Sequence, residues 1–266
     1  MRREPGWILN LVAGTVYLFL LTPMLVVVLY SFSEKSFFVF PPEGFSLRWY
    51  EAAWKSDKFL GPAARSIFVA VGSTLIATLF AVPAALGLRR IGGGRAARVI
   101  EFLLLAPMIV PALILGIALL YLYNRFGAVD TLGGMLAAHV VLVFPFVFRS
   151  VLVSVHGLSL HYEEASEMLG APPWRTFWHV VLPSLMPGVI AGGILAFIVS
   201  FDQFTISLFV AQSDQVTLPV ALYKYLYDVN DPVAAAVSTV LVAFGFVVAL
   251  VTQRAGWLEH AGGRGG

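Results

Sequence analysis

Apolar residues in this chain run in blocks too long and too unbroken for the one-sided stripe of a soluble amphipathic helix. Six blocks reach the roughly 20 residues that a helix needs to cross a bilayer: Trp7–Phe32, Ala63–Leu88, Val99–Tyr123, Met135–Val155, Gly188–Ala211 and Val233–Gln253. The first exceeds the about 7–15 apolar residues of a cleaved signal peptide and is expected to stay as a helix. Most connections are short, but two are long. In residues 33–62, Pro41-Pro42 stops any continuation of the first helix, and Leu47–Phe59 predicts a short surface helix anchored by Trp49, Tyr50 and Trp54. The pattern predicts an all-α integral membrane protein of six transmembrane helices, forming one domain over residues 1–266.

The second long connection, Gly157–Pro187, carries its own helical signals. Ser159 is placed to cap a helix whose first turn holds Glu163 and Glu164, matching the positive end of the helix dipole. Gly170 suits the left-handed residue that follows a helix, and Pro172 or Pro173 opens a second short helix ended by Pro183. A helix–glycine–helix elbow is therefore expected across one membrane face. Glu164, Glu167 and Arg175 are expected to point outward, with Trp174, Phe177, Trp178, Val181 and Leu182 packing beneath the bundle.

Only 12% of residues are charged, about half the share of a soluble domain. There is no cysteine, which excludes disulfides and thiol chemistry. A net charge of +2 with dispersed arginines gives no footprint for nucleic acid. The arginines do set an orientation. With the N-terminus inside, Arg2, Arg3, Arg89, Arg90, Arg95, Arg98, Arg149, Arg175, Arg254 and Arg264 lie on the inner side. Lys35, Arg48, Lys55, Lys58, Arg125 and Lys224 lie outside. The positive-inside rule then places both termini and the elbow in the cytoplasm.

Within the spans, Pro107 and Pro111 interrupt the third helix as hinges or as ordinary kinks. Gly188, Gly192, Ala196 and Ser200 recur every four residues in the fifth helix, a small-residue ridge that admits a close neighbour. Asp202 follows in the outer half of the same helix, on another face. A carboxylate there contacts a cationic solute or pairs structurally with Gln203 or a neighbouring helix. His139 in the fourth helix reads as a hydrogen-bonded packing residue.

The elbow reads Glu164-Ala165-Ser166, three residues, Gly170, nine residues, a β-branched residue, one residue, Leu182-Pro183. This spacing resembles the signature loop of ATP-binding-cassette (ABC) importer permeases. The similarity extends to Leu25–Phe32, Phe45–Tyr50, Ser200-Phe-Asp-Gln-Phe204 and Thr217-Leu-Pro219, which resemble the polyamine (spermidine/putrescine) permeases. Ser166 departs from the usual second alanine, a small-for-small change. Gln203 stands where polyamine permeases often carry an acid, which weakens the case for a dication.

The resemblance implies the type I importer fold in a bacterial inner membrane. It implies pairing with a copy or a homologous permease, two cytoplasmic ATPases that bind ATP and Mg, and a periplasmic solute-binding protein. Glu163, Glu164, Ala165, Ser166, Gly170, Leu182 and Pro183 would then form the ATPase-coupling site, and Asp202, Gln203 and Phe204 would line the translocation path. No cofactor is implied for this chain itself. Lys35, Lys55, Lys58 and Lys224 follow Glu34, Trp54, Asp57 and Tyr223, so the chain has no Gly-Lys-Ser/Thr phosphate loop. Relatives importing ferric iron, thiamine or phosphonate share the pattern and remain alternatives. A proton-coupled transporter relaying through Asp202 and His139 is a further one, although no inverted repeat marks the chain.

Overall fold

The computed structural model describes residues 6–37, 39, 41–213, 215–229 and 231–262. Arg2, Arg3 and Arg264, which contribute to the orientation argument, lie outside them. No strand occurs among the described residues. The helices are α1 (Gly6–Ser31), α2 (Arg48–Lys55), α3 (Asp57–Ile91), α4 (Arg95–Ile109), α5 (Ala112–Phe126), α6 (Leu132–Gly157), α7 (Leu160–Met168), α8 (Pro173–Thr176), α9 (Leu182–Phe201), α10 (Thr205–Val210), α11 (Leu218–Asp228) and α12 (Val233–Gly262). Two compact units divide the chain, one built from its ends up to Leu60 and from Ala221, the other from Gly61–Val220.

In the first unit α12 packs on α1 and α2. The connection after α1 is pinned by its aromatics. The Trp49 indole N–H donates to the Ser33 carbonyl at 2.7 Å, Phe32 stacks on Phe45, and Ser31 shares a hydrogen bond with the Tyr50 hydroxyl. Trp49 is thus buried rather than anchored at the membrane surface, because an indole N–H taken out of water needs an acceptor and the end of α1 offers one. Trp54 stays exposed. Further along, Asp231 accepts from the Val233 amide to cap α12 and from the Tyr225 hydroxyl. Burial, and then that bond, push the Tyr225 phenol up to about 12.

The core of the second unit is the α6–α9 pair. Gly188, Gly192, Ala196 and Ser200 are all buried in α9. A Cβ on Gly192 would lie 2.9 Å from the Val147 backbone, inside van der Waals distance. The expected ridge is therefore the contact surface between these helices, at a separation only small residues permit.

Two predicted spans are broken. The third is bent by 99° between α4 and α5. Val110 and Pro111 are extended, because proline removes an amide donor and disfavours helix in the residue before it. Pro107 remains inside α4, so only one of the two prolines makes the break. The fifth span does not run to Ala211. Its apolar helix begins earlier, over Pro173–Phe201, and stops at Asp202, which adopts a non-helical cap conformation. Gly6–Ser31, Asp57–Ile91 and Leu132–Gly157 cover three further blocks and the bent pair a fourth, while the sixth falls on α12, whose described apolar stretch, Val233–Val248, is shorter than a full span.

Gly192→Val is expected to drive α6 and α9 apart and cost about 1–3 kcal/mol, the usual penalty for overpacking. Gly193→Ala, whose new methyl would meet only Thr74 at an ordinary 3.7 Å, should leave the melting temperature of the purified protein unchanged. Equal melting of the two variants would show that the ridge is not a tight contact.

Candidate functional site

The elbow joins the two most closely packed helices, α6 and α9. Ser159 caps α7 by accepting from the His161 amide. At the other end Gly170 has φ +79°. Its amide donates to the Glu167 carbonyl at 2.9 Å, and the Ala171 amide donates to the Ser166 carbonyl at 3.1 Å. This doubly bonded ending, a Schellman motif, satisfies carbonyls that would otherwise be orphaned and requires a left-handed residue. Pro173 then opens α8, and the Ser166 hydroxyl bonds that of Thr176 at 2.9 Å, stapling the two arms.

The side chains divide sharply. Glu163 turns inward, where its carboxylate accepts from Arg89 of α3 at 2.9 Å with both side chains mostly covered. Glu164 stays exposed, facing only His161 one turn back. Ala165 and Glu167 are also exposed, and Ser166 is half-buried. Met168 and Leu169 are 89% and 87% exposed, an apolar pair with nothing over it. Val181 and Phe177 face inward as expected, but Trp174 and Trp178 do not, at 61% and 59% exposed. The register shift that follows explains part of this. Phe177–Val181 is a π-helical turn in which the Leu182 amide bonds the Phe177 carbonyl. Such turns insert one extra residue into a helix and rotate everything before them. Leu182 and Pro183 open α9 directly after it.

The proposed path residues sit where α9 stops and α10 begins. Asp202 is exposed at the cap, with half-buried Gln203 and Phe204 completing the break. The break is held from beneath by hydroxyls around His139, which is 1% exposed. Ser207 Oγ donates to the Gln203 carbonyl at 2.8 Å, so it accepts from His139 Nε2–H at 3.0 Å. On the other side Ser200 Oγ lies 2.7 Å from Nδ1 and 3.0 Å from Ser73 Oγ of α3. Both ring nitrogens thus end on hydroxyls, not on a carboxylate, and the ring ties α3, α6, α9 and α10 together.

Sequence reasoning missed Asp130. Its backbone is left-handed, at φ 57°, and its carboxylate accepts from the amides of Gln212, Ser213 and Gln215 and from the Ser213 hydroxyl, at 2.9–3.1 Å. Arg65 holds the Val216 carbonyl of the same loop, and Ser66 accepts from the Leu218 amide. The loop after α10 is therefore fastened to the end of α6 opposite the elbow. Asp130-Thr131 reads locally as a helix cap, and Thr131 does cap α6, which conceals the longer-range role of its neighbour.

Comparison with known proteins fits this arrangement. Residues 77–255 match the family described as binding-protein-dependent transport system inner membrane component. The chain belongs to this family. The permease is 32% identical to the putrescine transport system permease protein PotI of Escherichia coli (strain K12), over 92% of this chain and 89% of that one. It is 28% identical to the spermidine/putrescine transport system permease protein PotC of the same strain, over 90% and 89%. It is also 39% identical to the molybdenum transport system permease protein ModB of Mycobacterium bovis, over 70% and 75%. Its fold matches a chain from the crystal structure of a bacterial ABC transporter involved in the import of the acidic polysaccharide alginate. That match has a TM-score of 0.75 and 21% identity, over 94% of this chain and 95% of that one. The permease is thus a multi-pass inner-membrane protein with the type I importer fold, and a subunit of an ABC importer.

Reversing either charge of the Arg89–Glu163 pair should loosen the elbow by about 1.5–3 kcal/mol, the range for hydrogen bonds to charged groups. Hydrogen exchange across 160–168 measures this. The double exchange, Arg89→Glu with Glu163→Arg, should restore much of the protection. Additive loosening in the double variant would mean that the two side chains do not hold each other.

Proposed function

We propose that the permease moves a small cationic solute of the polyamine class, driven by ATPase subunits that grip α7. The observation that carries the ATPase coupling is the outer face of the elbow. Glu164, Met168 and Leu169 form a solvent-exposed polar and apolar surface on a helix whose ending is rigidly defined. Two large apolar side chains left exposed beside a carboxylate, outside the spans, form the kind of surface that a partner protein covers. Glu164, Ala165, Gly170, Leu182 and Pro183 are read as the coupling site. Glu163 and Ser166 serve it from within, through Arg89 and Thr176.

In this reading ATP and Mg are held by two separate cytoplasmic subunits, in keeping with the absence of a phosphate loop here. A second permease, a copy or a homologue, shares the path across the bilayer, and a periplasmic binding protein delivers the solute. The arginine distribution supports cytoplasmic termini and a cytoplasmic elbow. Residues 1–266 act as one membrane domain.

The solute class rests on Asp202 and on the relatives. Two similar permeases are named for putrescine and spermidine, and an exposed carboxylate at a helix break attracts a cation. The match to a molybdenum transport permease favours a second reading, a molybdenum-containing solute. Asp202 opposes that reading for an anionic form, since it would repel an anion from the same break.

Glu164→Lys is expected to reduce substrate-stimulated ATP hydrolysis of the reconstituted complex to its unstimulated level while the permease still inserts. Coupled turnover equal to the parent's would remove α7 from the docking role. Asp202→Asn should lower putrescine or spermidine uptake several-fold without reducing assembly. Unchanged uptake would leave Asp202 a helix-end residue only.

A further inference from the structure

We infer that the cavity behind the elbow binds a phosphate ester that also carries an ammonium group, the chemistry of a phosphoethanolamine headgroup. The cavity has a volume of about 320 Å³ and lies between the last turn of α3 and the two arms of the elbow. That is the lower end of the range for small-ligand pockets, about 300–1,000 Å³. Arg89, Arg90, Glu163 and Glu167 all line it, with Leu86, Phe177 and Val181 supplying apolar wall.

The charges are unevenly used. Arg89 Nη1 is committed to Glu163, while its Nη2 is buried with no hydrogen-bond partner. Arg90 and Glu167 form no ion pair among the described residues. Among those residues, a free cation, Arg90, and a free carboxylate, Glu167, therefore line the same space. Two carboxylates disfavour a simple polyanion there, and two guanidiniums disfavour the bare dication proposed as cargo. A zwitterion satisfies both. Its phosphate oxygens accept from Arg90, since a guanidinium fork matches phosphate geometry, and its ammonium donates to Glu167.

Position favours the same chemistry. Arg89 and Arg90 close the apolar run of α3, and basic pockets between helices at the ends of such runs bind lipid headgroups. The inference concerns the cavity behind α7 and does not require an ATPase on its outer face.

The full complex, reconstituted in bilayers of equal phosphatidylethanolamine and phosphatidylglycerol and then exchanged into detergent, provides the test through mass spectrometry of retained lipid. The parent should keep phosphatidylethanolamine in several-fold excess over phosphatidylglycerol. Arg90→Gln should lose that lipid, Arg90→Lys should keep part of it, and Glu167→Gln should lose the preference for the amine-bearing lipid. In a parallel arm, O-phosphoethanolamine is added to delipidated complex and its melting temperature is followed. Arg90-dependent stabilisation without lipid retention would assign the site to a soluble phosphate ester instead of a lipid. Equal retention by parent and Arg90→Gln with no stabilisation in the second arm, or no preference between the two lipids in the parent, would overturn the proposal.

Discussion

The close approach of α6 and α9 is the contact on which the rest of this permease depends. Gly188 and Gly192 let the backbones of the two helices meet with almost no intervening side chain. Dispersion attraction falls steeply with small gaps, so this seam holds only as long as its residues stay small. The elbow is an insertion between these two helices. Its two ends are thus fastened to one tightly packed pair. The Arg89–Glu163 pair adds α3 as a third attachment, and the Ser166–Thr176 bond closes the angle between the arms.

The far end of the same pair shows how a polar break is tolerated inside a membrane bundle. Stopping α9 at Asp202 frees backbone groups that hydrocarbon could not satisfy. Ser207 takes up the Gln203 carbonyl, and His139 links Ser207 to Ser200 and on to Ser73. Each donor has an acceptor with a neutral ring, so the imidazole acts as a rigid bracket across four helices. A proton relay between Asp202 and His139 finds no support in these bonds, because both ring nitrogens lead to hydroxyls.

What was legible in the sequence was whatever local chemistry determines. Ser159 at a cap, Gly170 in a left-handed position and the four-residue ridge of α9 each follow from backbone sterics or helical period. Faces were harder to read. Trp174 and Trp178 are apolar, and hydrophobicity alone does not separate a side chain turned to protein from one turned to lipid or to a partner. The π turn at Phe177–Val181 moved the register further. Trp49 was misplaced for the opposite reason: an amphipathic aromatic suits either an interface or a buried acceptor, and the deciding carbonyl, on Ser33, belongs to another element. Asp130 was illegible because its partners lie more than 80 residues away in the chain.

The charge pattern of the elbow connects these points. A helix carrying Glu163, Glu164 and Glu167 on neighbouring turns would repel itself if all three carboxylates faced water together. The fold gives each a different surrounding. Glu163 is neutralised by Arg89, Glu164 lies beside His161, and Glu167 opens onto the cavity that also holds Arg90. The inward acid fixes the helix to the bundle, and the outward one stays exposed beside His161. A spacing that reads in the sequence as one acidic signature therefore contains at least two physical roles. Substitutions at Glu163 and Glu164 should not be interchangeable, since one changes how the elbow is held and the other what the elbow presents.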